Sequence, residues 1–231
     1  MKMMSRRITS DFDSFVNFIV NYQLNINKEQ SDSFKSMHKK LYAFLIFLAE
    51  LKIQRYSEQS LLYLKEVGSD LMIALFCMIQ GLYKTSKIQL RCSIENFLKA
   101  LVLIKTNDVT EEKNVYRIFD IAKADKHFVG KVQQKSFTVI QKNYKTLCRT
   151  VHGDITTFDS ISALALLPKY NEKSLRECVK LYNEVTEKFL EILFVNYYEN
   201  VDKMHPENKK DFLDCLSKTT KMEVNNTLFS E

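Results

Sequence analysis

Two short segments carry residue types at spacings that could do chemistry. In Leu90-Arg91-Cys92-Ser93-Ile94-Glu95-Asn96, Arg91 and Glu95 stand four apart. Four residues is close to one helical turn, so on a helix the guanidinium and the carboxylate share a face. Their neighbours are strongly apolar. Such a pair either orients a helix inside a bundle or holds a ligand. The second segment is Tyr144-Lys145-Thr146-Leu147-Cys148-Arg149-Thr150-Val151-His152-Gly153. On a helix, Tyr144, Cys148, Val151 and His152 take adjoining positions of one face, with His152 at the end. The partial negative charge of a helix C-terminus favours a protonated imidazole there. His152 could therefore act as a general acid or base, with Arg149 or Lys145 steadying phosphate charge. Each segment also has a plain structural reading, an intrahelical ion pair in the first and a hydrogen-bonded histidine in the second.

The charge distribution adds a second feature. Between positions 123 and 149 lie Lys123, Lys126, Lys131, Lys135, Lys142, Lys145 and Arg149, against Asp125 alone. This local excess equals the net charge of the whole 231-residue chain, +6. A basic segment on a neutral body is the footprint of a polyanionic partner. Lys and Arg contacts to phosphates supply affinity without reading base sequence. A solvated helix face, a membrane surface or an acidic protein are the competing readings.

Several chemistries find no support. Di-metal carboxylate sites on bundles need Glu-x-x-His, and the chain has none. Its histidines, His38, His127, His152 and His205, are too scattered for a zinc site by spacing. No Gly-rich phosphate loop and no G-x-S-x-G is present. The five cysteines, Cys77, Cys92, Cys148, Cys178 and Cys215, include no C-x-x-C. They read as reduced thiols, four of them among apolar helical positions, which implies a reducing compartment. No metal or cofactor is expected.

The elements that must position these residues are helices. Only 4 glycines and 2 prolines occur, where average usage would give roughly 16 and 12. A chain this poor in turn-formers is built from a few long helices. Apolar periodicity places one over Asp11 to Leu24, capped by Ser10, and a second over Asp32 to Arg55. A shorter segment, Leu61 to Val67, ends at Gly68. Ser69 to Thr106 is the most hydrophobic stretch and forms one helix or two, with Gly81 as a close contact or kink. Further helices are expected from Glu111 to Ala124 (capped by Thr110), Phe137 to Val151 (stopped by Gly153) and Glu172 to Val201. Pro168 closes the irregular stretch before the last of these. A short helix over Glu207 to Leu216 precedes a polar, frayed tail. The expected fold is an all-α bundle of seven or eight helices. It divides into N-terminal helices at 1–58, a core bundle at 59–205, and a short helix and tail at 206–231. No apolar run reaches the ~20 residues a bilayer needs, and no secretory signal is visible, so a cytoplasmic protein without a membrane span is expected.

The two segments together also carry a resemblance. Arg91 and Glu95 on a hydrophobic helix, followed by Tyr144-x-x-Leu147-Cys148-x-x-x-His152, resemble an uncharacterised bacterial helical family found near mobile elements and antiphage systems. More distantly, the chain resembles the HEPN-like bundles, many of which are ribonucleases or toxins. The likeness spans roughly residues 60 to 200. It implies that Arg91, Glu95, Tyr144 and His152 approach one another inside the bundle, and that the bundle dimerises. The chain departs from the HEPN nuclease pattern R-x4-6-H: Arg149 precedes His152 by three positions, and Lys145 occupies the x6 spacing. Lysine lacks the guanidinium fork.

Three functions follow as expectations. The first is a helical component of a bacterial antiphage or toxin-like system that binds RNA, DNA or a partner protein through the basic segment. The second is a metal-independent ribonuclease using His152, Arg149, Lys145, Tyr144, Arg91 and Glu95. The third is a purely structural scaffold.

Overall fold

The computed structural model describes residues 5–21, 28–54, 57–103, 111–151 and 170–228. Thr110, His152, Gly153 and Pro168 lie outside these residues, and so does every expectation placed on them. The described residues are helical, with no strand among them. No helix among them is long and apolar enough to cross a membrane.

Among the described residues eleven helices follow in order, against the seven or eight expected: α1 Arg6–Asn21, α2 Lys28–Ile53, α3 Glu58–Ile79, α4 Tyr83–Val102, α5 Val115–Ala124, α6 Lys126–Val129, α7 Lys131–Val151, α8 Glu172–Asn196, α9 Tyr198–Asp202, α10 Pro206–Leu213 and α11 Lys218–Leu228. Five of them form the bundle. α4 packs against α3, α7 and α8, and α2 closes the ring between α3 and α8. α1 and α10 lie on α2, while α5 and α6 link α4 to α7. A single apolar core runs from Phe12 to Val224, with Phe97 and Phe189 stacked at 4.0 Å between α4 and α8.

The break expected at Gly68 does not occur. α3 runs through it with the glycine against α2, where a Cβ would lie 3.2 Å from Leu45 Cδ2. The real stop is Gly81, whose φ of 75° is the left-handed conformation that glycine adopts without strain. The Leu82 amide donates to the Cys77 carbonyl at 2.8 Å, and the Gly81 amide to Met78 at 3.1 Å. This is a Schellman ending, which satisfies the last carbonyls of α3. Three residues therefore turn the most hydrophobic stretch back on itself as a hairpin.

Other boundaries move for local reasons. α1 begins before Ser10, with Ser5 Oγ accepting from the Ile8 amide at 3.4 Å. Asn114 caps α5 by accepting from the Tyr116 amide. α7 starts at Lys131 rather than Phe137, directly after the short α6, which Asp125 caps by accepting from the His127 amide. The helix expected from Glu172 to Val201 breaks at Tyr197 (φ −125°, ψ 36°), where Asn196 Nδ2 donates to both the Ile192 and His127 carbonyls. The expected frayed tail is instead helix α11, which docks on the bundle through Thr220 and Glu223.

Candidate functional site

α7 presents two different faces at the same level. Its inner face carries Tyr144, only 6 % exposed, packed with its ring tilted on Phe119 at 5.0 Å. Its outer face carries Lys131, Lys135, Lys142, Lys145 and Arg149, all exposed. The intervals of 4, 7, 3 and 4 residues keep all five cations on one stripe.

On the inner side, the Tyr144 hydroxyl donates to Glu95 Oε1 at 2.8 Å, joining α7 to α4. Arg91 Nε approaches the same oxygen at 3.3 Å. That contact is an ion pair without hydrogen-bond geometry, and Arg91 Nε is buried with no acceptor. Burial, and then the Glu95 carboxylate that accepts its proton, push the Tyr144 phenol far above its ordinary range. Tyr144 is therefore a permanent donor. Arg91, Glu95 and Tyr144 form one cluster spanning α4 and α7.

The cluster extends to α3. Asn96 Nδ2 donates to Asp70 Oδ2 at 2.8 Å. Burial raises the Asp70 carboxyl to about 6, overriding the Asn96 bond that would lower it, with Glu66 and Glu95 adding repulsion. Burial likewise raises the Cys92 thiol, with Asp70 and Glu95 contributing. Sequence reasoning passed over Asp70, although a carboxylate at the head of the most apolar stretch is the kind of signal that marks a buried polar contact. Glu95 also lines a cleft of about 670 Å³ bounded by Lys99, Val115, Ile118 and the segment Glu111 to Lys113.

Lys145 and Arg149 do not join this cluster. Their exposed positions on α7 set them on the outer stripe, away from Glu95. The six residues grouped as one catalytic set thus separate: Arg91, Glu95 and Tyr144 are together, Lys145 and Arg149 face solvent, and His152 lies outside the described residues.

The stripe is unevenly compensated. Lys135 Nζ donates to Glu223 Oε1 of α11 at 2.9 Å, and Lys131 Nζ lies 3.6 Å from the same oxygen. Among the described residues, Lys142, Lys145 and Arg149 have no carboxylate partner. Lys123 and Lys126, also exposed, flank the α5–α6 corner. The seven cations therefore lie on two neighbouring surfaces, α7 and that corner. No group of His, Cys, Asp or Glu among the described residues is placed to hold a metal ion, and the cysteines are free thiols.

No protein-family model, characterised protein or solved structure matches the chain.

Proposed function

We propose that the protein binds nucleic acid through the outer face of α7, as a helical component of a bacterial defence system. One observation carries this reading: Lys142, Lys145 and Arg149 form a solvent-facing cationic row that no described carboxylate neutralises. An uncompensated row of like charges costs stability through self-repulsion. A linear series of phosphates meets it better than a compact acidic patch would. The resemblance stated above supplies the defence setting and makes RNA the first ligand to try.

The test is fluorescence anisotropy with a labelled RNA strand and the matching DNA. Three phosphate contacts make affinity fall roughly 20- to 40-fold between about 50 and 200 mM salt. The triple variant Lys142→Glu, Lys145→Glu, Arg149→Glu should lose binding at both salt concentrations. Binding that ignores salt, or survives the triple reversal, rules the reading out.

A second reading, ribonuclease activity, draws on the Arg91, Glu95 and Tyr144 cluster on the reverse side of the same helix. It expects His152→Ala to relieve RNA loss and growth arrest on expression in bacteria. Intact RNA with the parent chain leaves binding as the whole function.

A further inference from the structure

We infer that Glu223 of α11 is a displaceable cover on the nucleic-acid face, holding the place of a phosphate between Lys131 and Lys135. The inference rests on the nucleic-acid reading above and concerns how that face is regulated.

Two kinds of contact fasten α11, and they differ in strength. At its start, Thr220 Oγ1 donates to Glu191 Oε1 at 2.9 Å inside the protein, and the Thr220 amide donates to Ser217 Oγ at 3.0 Å. Glu191 is 2 % exposed and also accepts from Ser136 and Lys188, so this end is pinned to α7 and α8. One turn later Val224 is still in the apolar core and Lys221 Nζ donates to the Leu213 carbonyl at 3.1 Å, while Glu223 beside them makes an electrostatic attachment that reaches solvent. Glu223 is 24 % exposed, while Lys131 and Lys135 are 77 % and 60 % exposed. The Lys135 hydrogen bond and the two lysine charges hold the Glu223 carboxyl below the usual carboxylate range, so it stays anionic. Exposed ion pairs of this kind are weak and salt-screened.

A nucleic-acid strand offers the same chemistry in greater number. With Glu223 in place, the uncompensated row spans Lys142 to Arg149, about 10 Å of helix axis. With Glu223 displaced, it spans Lys131 to Arg149, about 27 Å. A bound strand therefore competes with the protein's own carboxylate for two of five cations. The buried Thr220 bond keeps the helix attached while the ion pairs exchange.

The experiment compares Glu223→Gln with the parent full-length chain by anisotropy across a salt series. The variant should bind RNA about threefold to tenfold tighter at low salt, with a slope of log affinity against log salt steeper by about one. In a Lys131→Gln, Lys135→Gln background, Glu223→Gln should give no gain. Thermal melting of all four chains separates a loss of fold from a change in affinity. Equal binding by Glu223→Gln and parent overturns the cover, as does an equal gain in the background lacking both lysines. The triple reversal at Lys142, Lys145 and Arg149 reports separately on the nucleic-acid reading. Its loss of binding alongside a silent Glu223→Gln removes the cover and leaves that reading standing.

Discussion

Glu95 collects a phenol and a guanidinium on one oxygen, and the two contacts differ in quality. The Tyr144 hydroxyl makes a hydrogen bond at 2.8 Å, whereas Arg91 Nε makes an ion pair at 3.3 Å without the geometry to donate well. The phenol is therefore the stronger tie between α4 and α7. Tyr144→Phe removes it while keeping the ring against Phe119, and should cost about 1–2 kcal/mol. Urea unfolding reads this directly; a variant as stable as the parent means the hydroxyl only shields Glu95. Two other titratable groups give stability opposite pH dependences. His38 is held neutral by burial against the pull of Asp11, which lies 2.8 Å from its Nε2, and its buried Nδ1 has no partner. Below the ordinary histidine value near 6.5 the unfolded chain binds the proton more readily, so acidification destabilises the fold. Asp70 does the reverse. Its raised value of about 6 gives stability that is full below 3.8 and lost as pH rises through 6. His38→Leu should flatten the acid loss. Asp70→Asn should be more stable than the parent at about pH 8, by on the order of 1 kcal/mol after allowance for solvent screening, and should lose that gain by about pH 4. Denaturant midpoints across this range decide both, and a parallel decline in all three chains removes these residues as its cause.

At the scale of elements, the two glycines Gly68 and Gly81 have unrelated roles. Gly81 holds φ at 75°, so Gly81→Ala forces a side chain into the left-handed region and should cost about 1 kcal/mol or more. Gly68 has ordinary helical geometry. Its added Cβ meets Leu45 Cδ2 at 3.2 Å, the far end of a side chain that is 43 % exposed, with Leu48 and Phe44 at an ordinary contact distance of 3.8 Å. Gly68→Ala should therefore be neutral or gain about 0.5 kcal/mol from helix propensity. Melting temperatures that shift equally in both variants contradict this account. The pair also explains what the sequence made legible. Scarce glycine and proline, with the apolar period, gave an all-helical chain but not the helix ends, and the Arg91–Glu95 spacing gave their shared face. A glycine by itself does not say whether it ends a helix or admits a neighbour, so Gly68 read as a stop. The break at Tyr197 has no glycine or proline. It coincides with Asn196 bonding the His127 carbonyl, 69 residues away in sequence. Helix α11 read as a frayed tail because its anchors, Glu191 and Lys135, lie in other helices. Contacts at such separation leave no periodic trace.

The whole molecule is tied together at Glu191, which receives Ser136 from α7, Lys188 from its own helix and Thr220 from α11. Lys188 Nζ lies 2.8 Å from Glu191 Oε2 and is the one cation in this set. Lys188→Met strands a buried carboxylate on two hydroxyl donors and should cost about 2–3 kcal/mol. Guanidinium unfolding measures it; a negligible change means Ser136 and Thr220 suffice. The same variant should loosen α11, visible as faster amide exchange there than in α3. The three-residue turn at Gln80–Leu82 has a kinetic consequence. It brings α3 and α4 together at minimal loop-closure entropy, and their apolar faces are adjacent in sequence. Contacts so local form early, which makes this hairpin the natural folding nucleus. Gly81→Ala should then slow refolding more than it speeds unfolding, and a stopped-flow chevron would show the loss on the refolding limb.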